Sequence, residues 1–146
     1  MRIPYETRPA VEIPLPDATP VVVPVDWPDR SVITKLVVVT TAGPAEDFTV
    51  AAYNHSQVAG GPPAYDDVGP YVGPVPDDCF RVTPDLKATA GRLLHFAAWP
   101  GFVFFSQEPD PGRQGQRRRR LYLKVTPVTA TPKRLAVVVG GLTQFE

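Results

Sequence analysis

Nineteen of the 146 residues are proline, and no other feature of the chain narrows its fold as far. Proline has no amide hydrogen and a fixed φ, so inside a helix it removes a hydrogen bond and costs about 3 kcal/mol. Few windows here are long enough and free enough of proline to build an ordinary helix. With the 11 glycines, proline fills about a fifth of the chain, against about 12% on average. A helical bundle is excluded. The bias still stays below that of a disordered chain, and 43% of the residues are apolar. A chain of one domain's length buries about 70% of the surface that it exposes when unfolded, so it needs no disulfide or metal to fold.

The apolar residues fall in short runs between turn formers, which is the pattern of an all-β sandwich or barrel. The clearest runs are Ser31–Thr40, Asp47–Asn54, Arg92–Ala97, Phe102–Ser106, Arg120–Thr126 and Arg134–Gly140; weaker ones are Ala10–Ile13, Val21–Val25 and Cys79–Val82. In Arg120–Thr126, Leu121, Leu123 and Val125 share one face while Tyr122, Lys124 and Thr126 share the other, the period of a half-buried strand. Phe48, Val50 and Ala52 line up in the same way. Leu36–Val39 and Leu135–Val139 are apolar on both faces, so they lie centrally between layers or are covered outside by a partner. Thr83-Pro84-Asp85 offers an N-cap followed by proline at the first helical position, which predicts at most one short turn of helix, ending near Ala90. Residues 55–78 and 107–119 are left as two long loops, a length that in compact domains marks function or disorder. Together these elements predict a single jelly-roll or Greek-key-like β-sandwich over residues 21–146. An extended Pro-rich N-terminal arm, residues 1–20, precedes it. Pro14, Pro16, Pro20, Pro24 and Pro28 confine the first strands to a sheet edge or to that arm.

Fifteen basic and fifteen acidic residues cancel, which argues against a direct nucleic-acid or membrane partner. Cys79 is the single cysteine, excluding an internal disulfide and a cysteine-rich zinc site and fitting synthesis in a reducing cytoplasm. The first residues lack the apolar core of a signal peptide, and no apolar run approaches the roughly 20 residues that span a bilayer. Arginine outnumbers lysine 11 to 4, and Asn54 is the only asparagine. That usage and the loop prolines suit a thermophile, though a GC-rich genome produces much the same bias.

Catalytic signals are sparse. Ser31, Ser56 and Ser106 are the only serines, and none stands in a Gly-x-Ser-x-Gly turn. His55 and His95 are far apart in sequence, and His95 reads as a packed strand residue. A Ser–His–Asp set is spatial, so spacing neither reveals nor dismisses it. No phosphate loop, dinucleotide fingerprint or zinc-protease helix is present, and the loop pairs Asp66-Asp67 and Asp77-Asp78 lack the spacing of a calcium loop. Neither an enzyme nor a cofactor is expected. Charge is nevertheless uneven: six basic and no acidic residues lie between Arg113 and Lys124, while five aspartates and Arg81 lie between Pro62 and Asp85. A solvated loop is one reading of Arg117, Arg118, Arg119 and Arg120. A contact with Asp66, Asp67, Asp77 and Asp78 of a neighbouring copy is another, because complementary charge sets register. Nucleic-acid binding is the third, but no interleaved aromatics accompany the arginines.

The proline-rich start and the segments Val21–Val25, Val32–Val39, Leu121–Val125 and Leu135–Gly141 resemble the small capsid decoration (auxiliary, head-stabilising) proteins of tailed bacteriophages. The resemblance implies a non-enzymatic protein on the capsid exterior of the virion, made in the host cytoplasm. It also implies a homo-oligomer, a trimer being favoured, that contacts the major capsid protein. Pro4, Tyr5, Pro9, Ile13 and Pro14 would then be arm contacts, kept stiff by proline so that docking loses little entropy. The alternative is a carbohydrate- or protein-binding β-sandwich module, with Trp27, Trp99, Tyr65 and Tyr71 as ring platforms or, more plainly, as core and turn anchors.

Overall fold

A computed structural model describes residues 5–7, 9–27, 31–43, 48–60, 86–88, 94–95, 102–110, 113–117 and 119–142. Every regular element among them is a strand: β1 (Tyr5–Thr7), β2 (Val11–Leu15), β3 (Val21–Asp26), β4 (Ser31–Ala42), β5 (Phe48–Tyr53), β6 (Leu86–Ala88), β7 (Leu94–His95), β8 (Phe102–Phe104), β9 (Arg120–Pro127) and β10 (Lys133–Leu142). They form two antiparallel sheets. In the first, β10 is flanked by β1 and β2 on one side and by β4 on the other, and β4 then pairs with β7 and β8. The second runs β3–β9–β5–β6. The fold is a β-sandwich in which β2, β3, β4 and β5 alternate between sheets, as do β8, β9 and β10.

The core lies between the sheets. From the first sheet come Ile13, Leu15, Ile33, Leu36, Val38, Leu135, Val137 and Val139, with Phe104; the second supplies Val25, Phe48, Val50, Ala52, Leu121, Leu123 and Val125, with Trp27 beside β3. The period-two faces read from β5 and β9 are the faces that are buried. Each such side chain stabilises the fold by about 1.5–3 kcal/mol. β4 and β10 are central in their sheet.

Backbone direction explains where proline is tolerated. The Trp27 N–H donates to the Arg119 carbonyl at 3.0 Å, so Val25, Val23 and Val21 also turn their polar groups toward β9, and Val22, Pro24 and Asp26 turn theirs away. Pro24 therefore removes a donor only from the open edge. Across the sandwich, the Arg134 carbonyl accepts from the Thr41 hydroxyl of β4. Pro14, which faces Arg134, thus sits at a position that makes no ladder bond, and its nitrogen also looks outward.

Two expectations are corrected. The N-terminal arm is not separate over the described part of residues 1–20: β1 pairs with Gly140–Leu142 and β2 pairs with Lys133–Val137 of β10. Ile13 is 0% exposed in the core, so it is a packing residue rather than a partner contact. Alternation of Ile13 and Leu15 with exposed Glu12 and Pro14 gave this segment a face to bury, and burial drew it into the sheet. The helical turn expected over Thr83–Ala90 is also wrong where described, because Leu86–Ala88 is a strand paired with β5. Cys79–Val82 lies outside the described residues.

Candidate partner surface and a buried polar cluster

The arginine run starts in a small hairpin. Pro109 and Arg117 form an antiparallel bridge. The Asp110 N–H donates to the Gln116 carbonyl at 3.0 Å, and the Arg113 and Gln116 N–H groups close the turn. Gly115 takes the left-handed φ of +78° that the reversal requires. Arg113 pairs with Asp110 at 2.9 Å. The stretch expected as a loop is thus ordered over much of its length.

Of the four consecutive arginines, the described ones have different surroundings. Arg117 folds back, donating from Nη1 to the Ser106 carbonyl at 2.9 Å. Arg119 is exposed. Arg120 is half-buried at the start of β9 and bears on the Tyr122 hydroxyl. Arg118, Asp66, Asp67, Asp77 and Asp78 lie outside the described residues. Of the arm positions, Pro9 and Pro14 are exposed, the Tyr5 backbone pairs with Leu142, and Pro4 lies outside. Trp27 is fully buried and offers no ring to a sugar; Trp99, Tyr65 and Tyr71 lie outside the described residues. Phe105, 42% exposed, is a large apolar side chain beside the segment that leads into the hairpin.

A second feature of the first sheet bears on partners. Its outward positions include Val37 and Val39 on β4, and Ala136 and Val138 on β10; Val37 stands opposite Val138, and Val39 opposite Ala136. All four are half-buried, and Glu12 and Arg134 border them with an exposed ion pair at 3.3 Å. Sheets that face water usually alternate polar residues on that side. This one does not.

The cluster that sequence reading missed lies where the end of β5 meets the segment after β8. Asn54, His55, Ser56, Ser106, Glu108 and Tyr122 all have no solvent exposure. Glu108 Oε2 accepts the Ser56 N–H at 3.2 Å, and the Asn54 carbonyl accepts the Gln107 N–H at 3.3 Å. The His55 Nδ1 accepts the Gln57 N–H at 3.2 Å, so neutral His55 carries its proton on Nε2. Burial pushes the His55 imidazole below its usual pKa, with Glu108 pulling the other way. Burial pushes the Tyr122 phenol well above its usual range; Glu108 adds to this and Arg120 opposes it.

Serine, histidine and a carboxylate side by side invite comparison with a hydrolytic triad. There the acid accepts from Nδ1–H and the serine hydroxyl donates to Nε2. Here Nδ1 is an acceptor and Glu108 holds a backbone amide, so the cluster is wired as a clamp between two segments. The only advance signal was a charged residue in Gln107-Glu108-Pro109, and Asn54-His55-Ser56 at a strand end. Among the described residues no three His, Cys, Asp or Glu side chains converge to hold a metal, and no helix is long and apolar enough to cross a membrane. No known protein family matches the chain, and no curated protein is similar enough in sequence to count as a relative.

Proposed function

We propose that this chain is a non-enzymatic structural protein of a virion, which decorates the outside of a tailed-phage capsid as a homo-oligomer. A trimer is favoured, with the major capsid protein as the second partner. The observation that carries the reading is the outer face of the first sheet, where Val37, Val39, Ala136 and Val138 stand at positions that a solvated sheet fills with polar residues. Such a patch suits a contact between copies or with a shell. The strand order adds support. Taken as β2–β10–β4–β8 and β3–β9–β5–β6, it reads as the two sheets of a jelly roll, an architecture common in capsid proteins and also in lectins.

Sedimentation over a wide concentration range, together with binding to purified capsid shells, tests this. The expected result is a stable oligomer that binds shells, and a Val138→Lys variant that sediments as a monomer while keeping its far-ultraviolet spectrum. A monomer at high concentration that binds no shell overturns the proposal. Sugar binding loses one of its ring platforms with the burial of Trp27, and no observation favours it.

A further inference from the structure

The 109–117 hairpin is tied to the sandwich at its base through a buried junction. The segment that leads into it gives the Gln107 N–H to Asn54 and takes the Ser56 N–H on Glu108. Arg117, on the returning strand, grips Ser106. The opposite wall is the 54–60 turn, held by the Ala59 N–H on the His55 carbonyl, the Gly60 N–H on the Gln57 carbonyl, and the Gln57 N–H on the His55 ring. Because Ser56 lies between His55 and Gln57, the ring bond and the Glu108 bond depend on the same turn geometry.

We propose that this junction is an acid-sensitive latch: neutral His55 keeps the turn in the shape that Glu108 grips, and a proton taken up on Nδ1 releases the hairpin. The proton comes from solvent and occupies the lone pair that now accepts the Gln57 N–H. Two donors then face one another, the Gln57 bond is lost, and the Ser56 amide moves off Glu108.

Among the described residues, Glu108 approaches the ring from the segment after β8, and Tyr122 on β9 bears on Glu108 and takes the field of Arg120. Lys124, also on β9, reaches toward Gly60 at the far end of the turn. The carboxylate favours a charged imidazole, while burial disfavours one. Burial is the larger effect, so the ring is neutral at neutral pH and acid works against the junction. The inference stands apart from the capsid reading, since it concerns the isolated chain.

Amide hydrogen exchange on the isolated protein, corrected for the intrinsic pH dependence of exchange, reads the latch directly. Between pH 7.5 and pH 5, protection at Ser56, Gln57 and Gln107 should fall by up to about tenfold per pH unit once the pH drops below the ordinary imidazole value, and should stay lower than that of β4 and β10. In His55→Gln that fall should vanish. Unchanged protection at the three amides overturns the proposal, as does protection there equal to that of β4 and β10, the mark of opening by whole-chain unfolding alone. An acid response that survives His55→Gln but disappears in Glu108→Gln also overturns it. If His55→Gln does not fold, the ring nitrogens of the unaltered protein decide: the Nε2-protonated tautomer titrating below the ordinary imidazole range supports the latch, and an ordinary or raised midpoint ends it.

Discussion

Glu108 places a carboxylate where no water reaches it, and what it holds is a backbone amide 52 residues away in the chain. A buried charge is tolerated only when it is paired and hydrogen-bonded, and here Ser56 and the Tyr122–Arg120 pair supply the surroundings. Glu108→Ala should therefore cost about 1–3 kcal/mol by leaving the Ser56 N–H unpaired. Glu108→Gln, which keeps an acceptor, should cost less. Urea denaturation of both variants checks the order. The neighbouring ring and phenol set a pH profile. The His55 pKa is lower in the folded chain, so as pH falls the unfolded chain binds the proton first. Stability is then whole above the ordinary imidazole value and declines beneath it, by at most about 1.4 kcal/mol per pH unit for one proton. The Tyr122 pKa is raised, so the unfolded chain loses that proton first and stability declines as pH climbs past about 10. Urea midpoints across the range should show both flanks, the acid one flattened in His55→Gln and the alkaline one in Tyr122→Phe.

At the scale of strands, single residues decide register and edges. β10 shifts register against β4 between Gly140 and Gly141, and a side chain on Gly141 would collide with the Val32 carbonyl. Gly141→Ala should cost about 3 kcal/mol, the upper end for overpacking, as a lowered thermal midpoint with β4 and β10 exchanging faster. Pro24 and Asp26 face the open edge of β3, where they deny a neighbouring strand one donor and add a charge. Replacing both with threonine should leave the monomer folded and produce concentration-dependent association in light scattering. Strand content was legible in the sequence because period-two alternation in β5 and β9 reports burial directly. The first twenty residues were misjudged for a related reason: proline limits which ladder bonds a strand makes, not whether it has a face to bury. The clamp was illegible, since Asn54-His55-Ser56 and Gln107-Glu108 become neighbours only once both sheets are in place.

For the molecule as a whole, the arginines divide into those that hold the chain and those free to meet something else. Arg119 is exposed within the run, whereas Arg117, though also exposed, and the half-buried Arg120 have partners within the fold. If the basic segment guides assembly, Arg119→Gln should weaken the oligomer most at low salt. Arg117→Gln should instead lower stability by about 1 kcal/mol and leave the salt response alone. Sedimentation at two ionic strengths separates the two. The place of β10 has a consequence in time. It is the latest of the described strands in the chain, yet it is the one against which β1, β2 and β4 all pair. During synthesis β1 and β2 emerge with nothing to zip against, and β4 has only the short β7 and β8. The first sheet is assembled only when β10 leaves the ribosome, so folding awaits translation of that strand. Until then the valine-rich early strands stand exposed to misassociation, and the outward prolines of β2 and β3 guard the chain while it waits.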